Sequence, residues 1–479
     1  MRDDDFVQTF SRKFLSAKSS KILVVTLLAS SAAFAALVIG RATNAFVEST
    51  PQHNSVEVIE VNSGSISVVK QGLFPRNQRL VLAVSEASNY AFIASRTEDS
   101  LLVLDADSLQ QVSIYSLRDL FFSNLKGYSG QESFIFDLEY SNGALFTSFV
   151  LSDRQPDTCD IYAIAKAEVR GSGLSKSSEV WRSSICRSVV ESDYFWPDFT
   201  GRMAITDSHI YLTAGFSSMD MLKESYPETA MQGVQVKIEE ELEKNILFGK
   251  LTKIEIKSGL SQVFAEGFRS PSGIALSHGL NGDSELWVTD HGPRGGDELN
   301  RVVQGGNYGW PYVTLGSSYG SSASPTLPLR YQTHAGFDVP VFSWTPSIAP
   351  SHLITLETNV FSPFDWTSSD LVLGTLKDES VYIIRIGNAN EVIKSERVAI
   401  GHRVRDLASS RDALLITTDD GMVLRISPTT NYERLTNGTF PSLIPKSLID
   451  LPVIREVVSA ADSVVAALIG LRNALFMFP

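Results

Sequence analysis

Between Val58 and Ser427 the chain repeats a short phrase: an apolar strand, a turn rich in Asp or Gly, then a second strand closing on a basic-apolar pair. The clearest copies are Asp370–Ile386, containing LVLGTLKDESVYIIRI, and Asp412–Ile426, containing ALLITTDDGMVLRI. Tyr90-Ala-Phe-Ile-Ala, Leu101-Leu-Val-Leu, His209-Ile-Tyr-Leu-Thr and Glu285-Leu-Trp-Val-Thr are strands of the same kind. Short β-type runs bounded by turn residues, with long amphipathic helices mostly missing, point to an all-β body. Divided into four-stranded units of ~40 to 60 residues, the stretch 58–428 holds six or more blades and predicts a β-propeller. An array of sandwiches is the runner-up.

Two insertions interrupt the strands. Met219–Asn245 is acidic, carries KIEEELEK and reads as a partly helical, solvated excursion. Gly316–Val339 is rich in Ser, Gly and Pro, the composition of a lid, a binding loop or a plain connection. A C-terminal extension, 429–479, contains Val453–Phe478, an apolar helical stretch broken by Arg455, Glu456, Asp462 and Arg472. It is too interrupted to span a bilayer and reads as an amphipathic helix that packs on the propeller or lies on a membrane surface.

Ile22–Gly40 is a run of 19 uncharged positions, almost enough, as a helix, to cross the ~30 Å hydrocarbon layer. Arg12, Lys13, Lys18 and Lys21 precede it and only Arg41 follows closely, so 1–21 is expected in the cytoplasm. Residues 22–40 then form a transmembrane anchor or signal segment, 41–57 a linker, and the remaining chain is periplasmic or extracellular. Thr43-Asn44-Ala45 also passes as a cleavage site. Cys159 and Cys186 suit that compartment: they flank the predicted strands Asp160–Val169 and Ser178–Ser184, joined by Gly171-Ser172-Gly173, and would face each other as a disulfide or remain buried thiols. The formal net charge of −13 argues against nucleic acid as a partner. Oligomeric state is not readable.

The densest signal lies in Gly267–Pro311: GFRSPSG, then ELWVTDHGPRGGDELN, then GGNYGWP. It is joined by PSIAPS (Pro346–Ser351), GTLKDESVYIIRI (Gly374–Ile386) and ERVAIGHRVRDL (Glu396–Leu407). Together these resemble the glucose/sorbosone dehydrogenase family, the PQQ-dependent aldose sugar dehydrogenases, over residues 60–428. The resemblance implies a six-bladed propeller with PQQ on one face and its quinone oxygen on calcium. Arg269, Ser347, Lys377, Arg403 and Arg405 match cofactor-binding positions; Gly292 and Pro293 match carbonyl ligands of that calcium; Asp297 matches a substrate-binding position near the sugar. Glu298 and Tyr308 match ligands of a further calcium. The chemistry is consistent: a planar quinone bearing carboxylates needs cations, best as guanidinium forks, and calcium accepts backbone oxygens. Arg403 and Arg405, two apart on a strand, point one way.

The pattern also departs from the family. Where its HxGxRL motif has the histidine that serves as general base, PDFTGRMAI keeps Arg202 but has Asp198; the acid expected to orient that base is Phe216. Ser270 and Ser272 replace amide side chains. Asp198 becomes the candidate catalytic base, since burial can raise a carboxylate's pKa toward neutral. His209, His291, His334, His352 and His402 offer no clear substitute. Three functions follow as expectations: oxidation of an aldose at the anomeric carbon with PQQ as hydride acceptor; a non-catalytic propeller that binds a sugar, a glycan or a partner protein; or a structural interaction module using Val453–Phe478.

Overall fold

The computed structural model describes residues 55–428, apart from 62–63, 76–78, 86, 96–97, 124, 126–131, 153–158, 187–199, 216–246, 248, 279–283 and 318–332. The expected anchor, linker to residue 54, acidic excursion, C-terminal helix, Asp198 and Phe216 all lie outside these residues. Among the described residues no helix is long and apolar enough to cross a membrane.

The strands form six antiparallel sheets, one per blade. In chain order the inner strands of blades 1 to 6 are Leu80–Ser85, Glu132–Ser141, Met203–Ile205, Pro271–His278, Pro350–Thr355 and Val404–Ser409. Each packs against the next around the axis, and the sixth returns to the first. The ring closes because Gly64–Gly72, early in the chain, pairs with Met422–Pro428 and joins the last blade.

The two phrases read from the sequence are the middle hairpins of blades 5 and 6. Leu371–Thr375 turns into Ser380–Ile386, and Leu414–Thr418 into Met422–Pro428. In both, the threonine ending the first strand accepts from the backbone N–H that opens the second, Ser380 N to Thr375 Oγ1 and Met422 N to Thr418 Oγ1, each 3.1 Å. The basic tag also has a partner: Arg385 binds Asp370 and Arg425 binds Asp412, both at 2.8 Å. Blade 4 repeats this with Arg301 and Glu285 at 3.1 Å. Exposed pairs are worth only ~0–1 kcal/mol, but Asp370 is fully buried, so the Arg385 pair holds blade 5 as well as marking the repeat.

Stability comes from the gaps between blades. Each gap has its own apolar core: Val81, Phe92 and Phe149 between blades 1 and 2; Tyr162, Trp181 and Ile210 between 2 and 3; Leu251, Phe268 and Val288 between 3 and 4; Trp287, Leu353 and Leu373 between 4 and 5; Trp366, Ile383 and Ile416 between 5 and 6; Leu82, Ile93 and Leu415 between 6 and 1. Emptying one such position, as in Phe149→Ala, costs ~3–5 kcal/mol.

Four inner strands shift register near their start: between Ile135 and Asp137, Pro271 and Gly273, Pro350 and His352, and Val404 and Asp406. A bulge adds a residue and re-aims the next side chain. Repeated at one level of the ring, it brings Asp137, His352 and Asp406 toward a common centre.

Candidate functional site

The segment Gly292–Glu298 follows the second strand of blade 4, Ser284–Asp290. Gly292 admits no side chain, since a Cβ would stand 2.1 Å from the Gly295 carbonyl. Gly296 has φ +66° and a Cβ there would meet Gly316 N at 2.3 Å. Asp297 then ties the loop down from inside. Its Oδ1 accepts from Gly292 N at 3.0 Å, and its Oδ2 accepts from Ser347 Oγ at 2.7 Å and from Ile348 and Ala349 N at 2.8 Å each. Fully buried and engaged on both oxygens, Asp297 joins blade 4 to the entry of blade 5; it organises the site from below. Ser347 is correspondingly committed to Asp297.

Arg269 precedes the inner strand of blade 4. Its Nη1 donates to the carbonyls of His291 at 3.1 Å and Gly292 at 3.4 Å, and its guanidinium stands 5.5 Å from the centroid of the Trp310 ring. A cation is therefore already stationed at the carbonyl that the sequence assigns to calcium. From blade 6, Arg405 grips Asp419 through Nε at 2.7 Å and Nη2 at 2.9 Å. Arg403 binds the same carboxylate at 2.9 Å and donates to the carbonyl of Leu376, the neighbour of Lys377 in blade 5. His291 links these groups: its Nε2 donates to the Pro350 carbonyl, while Arg269 and Arg405 both act on its ring. Burial lowers the His291 pKa; Asp297 opposes this, and the two arginines add to it.

Beneath Arg269 is a narrow recess of only about 10 Å³, whose lining includes Asp290, His291, Gly292, Glu298, Tyr308 and Thr314. Burial pushes Glu298 up to about 8, helped by Asp290, and pushes Asp290 up to about 6 despite the N–H groups of Arg269 and Ser270. Two desolvated carboxyls so close favour a proton or cation between them. The phenol of Tyr308 is otherwise occupied: it donates to the Arg301 carbonyl at 2.7 Å and stacks on Phe268 at 4.8 Å. Pro293 is buried beside Gly316.

Behind this face, on the axis, lies Arg202, 2% exposed. Its Nη1 donates to Asp137 at 2.6 Å and Asp406 at 2.8 Å, and its Nη2 to the carbonyls of Ser351 at 3.2 Å and Arg405 at 3.1 Å. One guanidinium thus touches blades 2, 5 and 6 from the threshold of blade 3. Asp406 also holds His352 Nδ1. Beyond them the C-terminal halves of the six inner strands line an open channel of roughly 260 Å³, with Glu139 and Glu357 on its wall.

Arg269, Arg403 and Arg405 stand where the inner strands of blades 4 and 6 begin, and Lys377 in the turn after the second strand of blade 5; of the four, Arg269 has the bond to the Gly292 carbonyl. Asp198 is not among the described residues. Cys159 and Cys186 stand opposite one another in the register of Cys159–Arg170 and Ser178–Cys186, as the hairpin reading expected, though their side chains fall outside the description. Sequence reasoning missed Asp419, the shared partner of two arginines, because TTDDGM reads as a turn. It also left His352 isolated; the bulge that turns it to the axis leaves no mark in composition.

A family model described as glucose / sorbosone dehydrogenase matches residues 85–425. The aldose sugar dehydrogenase YliI of Escherichia coli K12 is 34% identical over 173 residues, 35% of this chain and 44% of the relative. Quinoprotein glucose dehydrogenase B of Acinetobacter calcoaceticus is 30% identical over 129 residues, 24% of this chain and 26% of the relative. The aligned chain therefore spans less than half the length of these curated relatives. Among solved structures, the apo soluble aldose sugar dehydrogenase of Escherichia coli superposes with TM-score 0.53 at 20% identity, over 78% of this chain and all of that one. A glucose dehydrogenase gives 0.51 at 18% identity, over 75% and 99%; these two likenesses speak to the fold. With a family model covering the ring from blade 1 to blade 6, the chain belongs to the glucose/sorbosone dehydrogenase family.

Proposed function

We propose that the chain is an exported, membrane-tethered aldose dehydrogenase that takes PQQ and calcium on the face shared by blades 4, 5 and 6. One observation carries the reading: Arg269 of blade 4 reaches the Gly292 carbonyl, while on blade 6 Arg403 and Arg405 share Asp419 and Arg403 also reaches the Leu376 carbonyl beside Lys377 of blade 5. The groups present fit both components. Asp419 is an internal carboxylate held by the Arg405 fork and by a single Nε bond from Arg403, the chemistry that a carboxylated ring needs. The Gly292 carbonyl is a backbone oxygen of the kind calcium takes, and Arg269 must give up its 3.4 Å contact there for calcium to bind.

In this reading Arg269, Lys377, Arg403 and Arg405 hold the cofactor carboxylates, with Ser347 at the same edge. Gly292 and Pro293 offer carbonyls to the calcium, and Glu298 marks a further calcium position, to which the Tyr308 phenol, committed to the Arg301 carbonyl, adds no ligand. When bound, the pair supplies a calcium-polarised quinone that accepts hydride from the anomeric carbon. Asp297 fixes the loop over which the sugar sits, and Asp198 takes the proton of the anomeric hydroxyl. Residues 22–40 anchor the chain, and a Cys159–Cys186 disulfide closes its hairpin in the oxidising compartment.

Asp198 and Phe216, in place of a base and its orienting acid, favour a second reading, in which the face binds a sugar, glycan or partner without turnover. Reconstitution of the full chain with PQQ and calcium separates the two. A quinone absorbance change on adding aldoses supports the dehydrogenase. Saturable binding without that change supports the second reading, and no PQQ binding at high micromolar concentration removes the first.

A further inference from the structure

At the channel end of the axis, a ring nitrogen of His352 and one carboxylate oxygen each from Asp137 and Glu139 lie within 4.8 Å of one another. His352 is 1% exposed, and its Nε2 has no hydrogen-bond partner. That nitrogen stands 3.9 Å from Glu139 Oε1. On the other side of the ring, Nδ1 is bound to Asp406. The Leu407 N–H also stands at Nδ1, at 3.2 Å, but lies closer to Asp406 Oδ1, at 2.9 Å; with the Nδ1 proton facing that carboxylate, the arrangement common in metal-binding histidines, Nε2 presents a lone pair to the cluster.

Charge leads the same way. Three carboxylates, Asp137, Glu139 and Asp406, meet one guanidinium, Arg202, at the inner end of the channel. Ionised together, the three carboxylates leave two negative charges that Arg202 does not compensate in a largely buried place, which is costly unless protons or a cation answer them. Asp137 keeps capacity for this: each of its oxygens accepts one bond, from Arg202 Nη1 and Met203 N, and a carboxylate oxygen has two lone pairs.

We propose that Asp137, Glu139 and His352 form a site for one divalent transition-metal ion, of the zinc class, on the propeller axis and separate from the cofactor face. One imidazole nitrogen with two carboxylate oxygens is a donor set that zinc accepts, leaving a fourth position for water from the channel. Bonds of ~2.1 Å hold opposite ligands no more than ~4.2 Å apart, so a pair at the 4.8 Å limit closes by about 0.6 Å. Glu139, 29% exposed at the channel wall, has the freedom to do so. The ion links blade 2 to blade 5, which face each other across the ring, and neutralises what Arg202 leaves.

The test is equilibrium dialysis of the full chain against zinc, with calcium saturating to fill calcium-selective positions, together with diffraction at the zinc absorption edge. One zinc per chain is expected, with an anomalous peak between Glu139 and His352. Glu139→Gln, which deletes one ligand charge at the rim, should weaken zinc at least ~10-fold, the scale of losses around metal sites. His352→Gln should do the same, and Glu139→Gln decides the matter if that variant does not fold. Absence of stoichiometric zinc, a peak elsewhere, or unchanged affinity in Glu139→Gln overturns the site. None of these readouts depends on PQQ or sugar.

Discussion

At the end of the axis where the inner strands begin, arginines meet carbonyls and a carboxylate that water still reaches: Arg403 is 49% exposed and Asp419 19%. Deeper along the axis, Arg202, Asp137 and Asp406 make the same kinds of bond with at most 2% exposure. The residue types match and their roles differ, because burial sets the cost of separation. An exposed pair can trade one carboxylate for another at little cost, as a ligand site requires. A buried network cannot lose a member without stranding a charge.

The largest expected effect breaks the buried end. Arg202→Ala should lower unfolding free energy by ~3–5 kcal/mol, read by denaturant titration, since Asp137 and Asp406 lose their shared counter-charge. A loss below ~1 kcal/mol would place these two acids in the class of exposed pairs and erase the contrast. At the open end, Arg405→Ala should weaken PQQ ~10- to 100-fold by removing a charged fork, while costing less stability than Arg202→Ala. Unchanged affinity would move the carboxylate seat elsewhere.

Smaller effects sharpen the comparison. Asp198→His should raise aldose turnover about tenfold, below the ~10²–10⁴ of a fully oriented general base, because Phe216 gives the ring no acid partner. No gain would show that the imidazole is not what the site lacks. Least of all is Asp419→Asn. Burial pushes Asp419 up, but Arg405 and Arg403 outweigh it and hold its pKa below the usual 3.8. Its stabilising contribution is therefore present above pH ~4 and lost as pH falls through the depressed folded value. The variant should flatten that acid limb of the stability curve; an unaltered limb would mean that the two arginines do not hold this carboxylate in solution.

The hairpins of blades 5 and 6 were legible because a period-2 apolar pattern, a threonine turn and an acid–arginine pair all recur at fixed spacing. Closure of the ring by Gly64–Gly72 was not, since pairing across some 350 residues leaves no local trace. The site divides in the same way. Arg269, Gly292 and Asp297 stand in one contiguous motif, so the sequence names them together; what it does not give is that Asp297 faces inward, with both oxygens engaged. Asp419 sits in a turn of blade 6 that reads as a plain connection, while Asp137, His352 and Asp406 come from blades 2, 5 and 6, and register shifts of one residue decide where those three point.

Titration of PQQ into the full chain with and without calcium, followed by cofactor absorbance, tests the central claim most directly. Saturable, calcium-dependent binding of one PQQ per chain is expected, weakened in both Arg269→Ala and Arg405→Ala. Absence of saturable binding, or binding indifferent to calcium and to both arginines, would contradict it.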